Sequence, residues 1–345
     1  MKIDGGISMT MAGAAESATA LEAQGYTGGF TAEIAHDPFL PLALASDATS
    51  TLELGTSIAV AFARNPMTLA NTAWDLQEHS DGRFILGLGS QIKPHITKRF
   101  SMEWGKPAAR MRELVQALHA IWDCWMTGDK LAFRGDFYTH VLMTPMFTPS
   151  AIETKPRVFL AAVGPLMTQV CGEVADGWFS HGFTTADYLR DVSIPALHAG
   201  AAKAGRSASD VEVSLPLFIV AGNTDEEIAE RGVAVRKQIA FYGSTPAYKS
   251  VLDHHGWGDA QIELNRMSKA GEWDAMADVV DDTMLRTFAV VGGVDEIADD
   301  IIDRFAGLVD RLSFYAPYET PADTWAPVLD KLRATPAAAT GKATG

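Results

Sequence analysis

Short apolar runs alternate along this chain with longer stretches of helical spacing. Ile3 to Ser8 predicts a first strand. Ala14 to Gln24 follows with a helical stripe (Ala14, Ala18, Leu21) and stops at Gly25, a natural cap. Gly28 to Glu33 reads as a second strand ending in an acid. In the loop Ile34 to Pro38, Asp37 is placed to cap a helix over Phe39 to Ala48, with Pro38 at its first turn. Leu52 to Phe62 predicts the third strand, Met67 to His79 a helix, and Arg83 to Gly89 the fourth strand. The nearly unbroken apolarity of that fourth strand suits burial on both faces.

The alternation then continues with two interruptions. Helical spacing opens at Ile92, breaks around Trp104-Gly105-Lys106-Pro107 and resumes from Ala108 to Trp125. Gly128 to Pro149 reads as an inserted loop or hairpin. Val158 to Ala162, Asp176 to His181 and Val211 to Val220 predict three further strands. Helices at Leu166 to Val174, Thr184 to Gly205 and Asn223 to Phe241 accompany them, the last opened by a capping sequence. Tyr242 to Asp282 is a second insertion. Val294 to Ala306 is helical, Arg311 to Tyr315 is the eighth strand, and Pro321 to Leu332 a final helix. Residues 1–334 are expected to form a single domain, with Thr335 to Gly345 a disordered tail rich in Ala, Thr and Gly.

Eight strand–helix units predict an α/β fold: a (β/α)8 barrel with insertions after strands 4 and 7. No G-x-G-x-x-G turn follows the first strand, which argues against a doubly wound dinucleotide-binding sheet. A barrel gathers its chemistry at the C-terminal strand ends. Here those are Glu33 to Asp37, Ser57 to Asn65, Gly89 to His95, Ala162 to Pro165, His181 to Phe183 and Ala316 to Tyr318.

Charge narrows the partners. A formal net charge of −15 and a pI near 5.0 disfavour nucleic acid. No apolar run reaches the length of a membrane span, and Met1 to Gly6 lacks a secretion signal's apolar core, so a cytoplasmic protein is expected. Cys124 and Cys171 stand alone in predicted helices and read as buried thiols.

Against the acidic background, Gln91 to Phe100 carries Lys93, Lys98 and Arg99 and no acid. It follows Gly87-Leu88-Gly89-Ser90, where a backbone can approach a ligand closely and a helix begins. The stretch reads either as an anion site or as a solvated turn. Glu33 and His36 share a strand end and could do acid–base work, whereas Asp37 reads as a cap. His181 reads as a strand-end ligand or a hydrogen-bonded core residue, and His254-His255 as a loop pair. Trp104, Phe183, Tyr242 and Trp257 read as a pocket lining or as local core. No metal-ligand spacing, G-x-S-x-G or P-loop is present.

Taken in order, Leu54-Gly55-Thr56-Ser57-Ile58, Arg64-Asn65-Pro66, Gly82 to Gly89, Ala161 to Pro165 and Ala175 to Trp178 resemble the bacterial luciferase-like superfamily of flavin- and deazaflavin-dependent oxidoreductases. Gly89 to His95 is similar to the branch that uses coenzyme F420, a 5-deazaflavin. The resemblance implies a hydride-transferring enzyme with the cofactor ring in the barrel mouth and a non-prolyl cis peptide, at Ser57–Ile58, behind it. It implies cofactor contacts at Ser57, Ile58, Gly89, Ser90, Gln91, Lys93, His95, Ala162, Val163 and Gly164. An anionic tail gives Lys93, Lys98 and Arg99 a purpose.

Sugar-phosphate dehydrogenases of this group keep a histidine and an acid where this chain has Ile34 and Ile92, so sugar-phosphate oxidation is not expected. Glu33 and His36 remain as catalytic candidates. The alternatives are an FMN-dependent two-component monooxygenase with a partner reductase, and a cofactor-binding protein without catalysis. A small-molecule substrate and a homodimer or higher homo-oligomer are expected by the same analogy.

Overall fold

The computed structural model describes residues 1–321 and 324–334. The expected tail, Thr335 to Gly345, lies outside these residues. Eight parallel strands close into a barrel: β1 (Lys2–Gly6), β2 (Gly28–Thr31), β3 (Glu53–Thr56), β4 (Phe84–Gly89), β5 (Arg157–Ala161), β6 (Gly177–Phe179), β7 (Glu212–Gly222) and β8 (Arg311–Tyr315). Neighbours in sequence pair in space, and β8 closes the ring between β7 and β1. Helices such as Met11–Ala23, Pro66–His79, Pro107–Thr127 and Pro165–Val174 pack around the outside. The chain is a (β/α)8 barrel.

The barrel floor is ionic. Lys2, Glu53, Arg157 and Glu212 are the first residues of β1, β3, β5 and β7, so alternate strands contribute one layer. Arg157 bridges Glu53 (2.7 Å) and Glu212 (2.9 Å), and Lys2 lies 3.1 Å from Glu212. Arg311, fully buried, reaches Glu53 and Glu212 and grips both oxygens of Asp4 at 2.8 and 2.6 Å. Three cations thus meet three carboxylates, which lets charge sit where solvent cannot. Above them Phe30, Ile85, Phe159 and Phe179 form an apolar layer, and the Arg311 guanidinium lies 5.6 Å from the Phe30 ring.

The third strand differs from the continuous run expected from Leu52 to Phe62. It breaks after Thr56, resumes as Ala59–Val60 against β4, and ends in a single turn at Ala61–Ala63. The break lies at a cis peptide bond between Ser57 and Ile58. Thr56 and Gly87 hold the strands together just before it: the Thr56 hydroxyl donates to the Gly87 carbonyl at 2.6 Å and accepts from its N–H at 3.0 Å. Any side chain on residue 87 would strike the Thr56 carbonyl, with a Cβ only 1.6 Å away. Glycine is therefore required there by close approach.

Gly128 to Pro149 carries a two-stranded ribbon, Phe133–Arg134 with Thr139–His140, and the turn Pro145–Phe147. The segment after β7 forms the helices Lys249–His254, Gly258–Ala270 and Asp282–Phe288. A strand absent from the sequence reading, Ala289–Gly293, pairs with the far half of β7. Its Gly292-Gly293 ending and brevity hide it from periodicity. Among the described residues no helix is long and apolar enough to cross a membrane.

Replacing Arg311 alone with Met should cost about 3–5 kcal/mol of unfolding free energy, because three carboxylates lose their shared partner. Burial raises the Glu53 carboxyl, but Arg311, Arg157 and Lys2 outweigh it and hold its pKa to about 2, against 4.5 when unfolded. Glu53 therefore stabilises the fold fully above about pH 4.5 and loses that contribution as pH falls toward 2. Urea titrations across this window should show the loss, and Glu53→Gln should flatten it.

Candidate active site

At the C-terminal end of the barrel the strands enclose a cavity of about 580 Å³. Its wall is built from Asp4 and Gly6 of β1, Phe30 and Thr31 of β2, Ser57 after β3, Phe179 and Ser180 at β6, Ser214 and Pro216 of β7, and Ser313 and Tyr315 of β8. Hydroxyl groups and aromatic rings dominate; among the described residues no Lys, Arg or His lines it. Asp4 at the bottom is committed to Arg311.

Of the residues singled out in sequence, Ser57 lines the cavity. Ile58 packs over Gly89, where a Cβ would meet its side chain at 2.8 Å, and against the apolar layer below. The Glu33 N–H donates to the Ile58 carbonyl (3.1 Å), and its carboxylate accepts from the Val60 N–H (2.7 Å) and from Arg64 (2.6 Å). Arg64 also reaches Asp37 at 3.2 Å and lies over Phe39. Glu33 is thus the anchor of the segment that follows the cis bond. Asp37 accepts from the N–H groups of Phe39 and Leu40, the expected cap. His36 is exposed on the same loop and is not part of the cavity wall.

The loop after β4 forms the rim. Gln91 adopts a left-handed conformation (φ 56°), and its side chain accepts from the Ile92 N–H. Ser90 donates to the Gln91 carbonyl. Arg99 donates to the Ile34 carbonyl, tying this loop to the one after β2. Lys93, Lys98 and Arg99 are exposed, and no carboxylate pairs with them among the described residues. His95 turns inward, and its buried Nδ1 has no hydrogen-bond partner. Beside it, at the end of the neighbouring β5, Ala162 is buried, Val163 is exposed, and Gly164 precedes the helix Pro165–Val174, whose N-terminus no side chain caps among the described residues. The space around Gly164 is open.

Sequence reasoning missed the wall made by β6 to β8. Ser180 is 5% exposed, lines the cavity, and its hydroxyl has no partner. Tyr315 stacks on Phe218 (4.7 Å) and shares a 2.8 Å hydrogen bond with Tyr242. His181 lies edge-on to Tyr242 and stacked on Tyr248, and its Nδ1 accepts from the Phe183 N–H at 3.0 Å. Burial lowers its pKa to about 4, so the ring is neutral near pH 7 with its proton on Nε2. Phe183 and Trp257 belong to the core of the inserted helices, and Trp104 packs on Phe62. Tyr318, expected at the mouth, instead bonds the backbone of Ile219 and Ala221. Tyr315 could have been found from its place as the last residue of the eighth strand.

An unpartnered buried hydroxyl on an aromatic-walled cavity and a rim of unpaired cations fit a planar group with polar edges and an anionic tail. The luciferase-like monooxygenase family matches residues 3–311. This chain belongs to that family. An uncharacterised protein of Mycobacterium tuberculosis is 59% identical over 313 residues, 90% of this chain and 92% of the relative. A putative coenzyme F420-dependent oxidoreductase of the same organism is 26% identical over 301 residues, covering 82% and 84%. The structure of the coenzyme F420-dependent tetrahydromethanopterin reductase of Methanopyrus kandleri superposes with a TM-score of 0.74 at 18% identity, covering 95% and 96% of the two chains. Structures of monooxygenases share the barrel as well. Luciferase-like family members are oxidoreductases and monooxygenases that act on small molecules.

Glu33→Ala should lower the unfolding free energy by about 1.5–3 kcal/mol, the worth of buried hydrogen bonds to a charged group. Denaturant unfolding of the variant checks this.

Proposed function

We propose that this chain moves a hydride between coenzyme F420 and a small organic substrate held in the barrel mouth. The observation that carries the reading is the loop after β4: Lys93, Lys98 and Arg99 stand exposed there, with no carboxylate partner among the described residues, in a chain of net charge −15. An oligoglutamate tail is the kind of partner such a cluster fits. The F420-dependent relative and structural neighbour support the same cofactor.

In this reading Ser57 and Ile58 back the ring, and Ser90, Gln91, His95 and the backbone at Ala162, Val163 and Gly164 hold the phosphate beside the uncapped helix end. Lys93, Lys98 and Arg99 hold the tail. The deazaflavin supplies, when bound, a carbon that gives or takes hydride. The protein supplies orientation, a water-poor wall of Phe30 and Phe179, and a proton. Glu33 acts as a positioning residue through Arg64 and Val60. His36 stands at the exposed rim and is the weaker catalytic candidate of the two named in sequence.

The second reading, an FMN-dependent monooxygenase, draws on the barrel shared with monooxygenases. A spectral titration separates them. Oxidised coenzyme F420 should bind in the micromolar range or tighter and weaken with added salt. Replacing Lys93, Lys98 and Arg99 together with Ala should weaken it roughly threefold to 150-fold, from three exposed ion pairs worth about 0.2–1 kcal/mol each. Binding of reduced FMN without binding of F420 would overturn the proposal.

A further inference from the structure

We propose that Tyr315 is the catalytic residue that exchanges a proton with the oxygen of the substrate, and that this substrate is an uncharged carbonyl compound or its alcohol. The inference rests on the hydride-transfer reading above and extends it to the group and substrate class that the reading leaves open.

Among the described residues the cavity wall holds two dissociable side chains, Asp4 and Tyr315. Asp4 spends both oxygens on Arg311, at 2.8 and 2.6 Å. Glu33 is bound to Arg64 and Val60 and lies outside the wall. Tyr315 remains. Its hydroxyl meets that of Tyr242 at 2.8 Å, and either oxygen is able to donate. When Tyr242 donates, the Tyr315 proton is released to the cavity. Tyr242 is half-buried. Stacking on Phe218 at 4.7 Å fixes the Tyr315 ring. Ser180, buried and without a partner on the same wall, offers a second donor to the substrate oxygen.

The substrate class follows from the lining. Among the described residues no Lys, Arg or His stands on the wall and Asp4 is neutralised, so none of them compensates a phosphate, carboxylate or ammonium group. Aromatic rings and hydroxyls accept an uncharged body with a polar oxygen.

The step balances. As hydride reaches the carbonyl carbon from the reduced deazaflavin, the C=O π pair moves onto oxygen and takes the Tyr315 proton. The phenolate left behind regains a proton from Tyr242 across their hydrogen bond, and solvent restores Tyr242. Oxidation of the alcohol runs the same transfers in reverse. Burial and the Tyr242 contact raise the Tyr315 pKa above that of a free phenol, so it enters the reductive step protonated.

The test uses 2-cyclohexen-1-one as probe. In cofactor-free and F420-loaded protein, its infrared carbonyl band should shift to lower frequency on binding. Tyr315→Phe should abolish most of the shift, and Tyr242→Phe should retain it. If the loaded enzyme reduces the enone with reduced F420, Tyr315→Phe should lower kcat by roughly 10²–10⁴-fold, the range of a lost general acid, with the coenzyme Kd unchanged. An unshifted band in the wild-type protein, or an equal shift in Tyr315→Phe, overturns the assignment. Failure to bind coenzyme F420 overturns the hydride-transfer reading instead, while the band in cofactor-free protein still decides the role of Tyr315.

Discussion

The barrel depends on one buried guanidinium. Arg311 enters from β8 and joins Asp4 of β1, Glu53 of β3 and Glu212 of β7, so the last strand is tied to both its neighbours and to β3 beyond them. With Lys2 and Arg157 the charges cancel within the floor. A closed barrel needs its interior filled, and here the lower part is filled by ions and the next layer by Phe30, Ile85, Phe159 and Phe179. The upper part is left open. The cavity at the mouth is thus the unfilled end of a barrel whose floor is sealed by charge.

The loops around that opening are held by contacts that cross between strand ends. Glu33 and Arg64 fasten the segment after the Ser57–Ile58 bond to the end of β2. Arg99 brings the basic rim loop back to Ile34. Such cross-links brace the loops around the mouth against one another. They also change how Glu33 is understood. An acid at a strand end reads as chemistry in sequence, but its partners here make it a brace.

Most of the barrel was legible because strand and helix periods alternate eight times and the boundary residues are distinct. The fourth strand, buried on both faces, announced itself by composition. The short strand Ala289–Gly293 was not legible, since it leaves no periodic trace, and the break in the third strand was foreshadowed by the resemblance alone, as the cis peptide at Ser57–Ile58. The basic rim could be read because Lys93, Lys98 and Arg99 stand out against an acidic chain. The wall of Ser180 and Tyr315 could not. It joins strand ends far apart in sequence that only the closed ring brings together, while Tyr242, named in sequence as pocket lining or local core, meets it through the Tyr315 hydroxyl.

The central claim is that one mouth holds a deazaflavin, with its ring against Ser57–Ile58 and its tail along Lys93 to Arg99. A crystal structure of the chain with coenzyme F420 tests this most directly. The account predicts the ring above Phe30 and Phe179, with the polar edge of the substrate space at Tyr315 and Ser180. A ring bound elsewhere on the barrel, or a tail directed away from the basic rim, would contradict it.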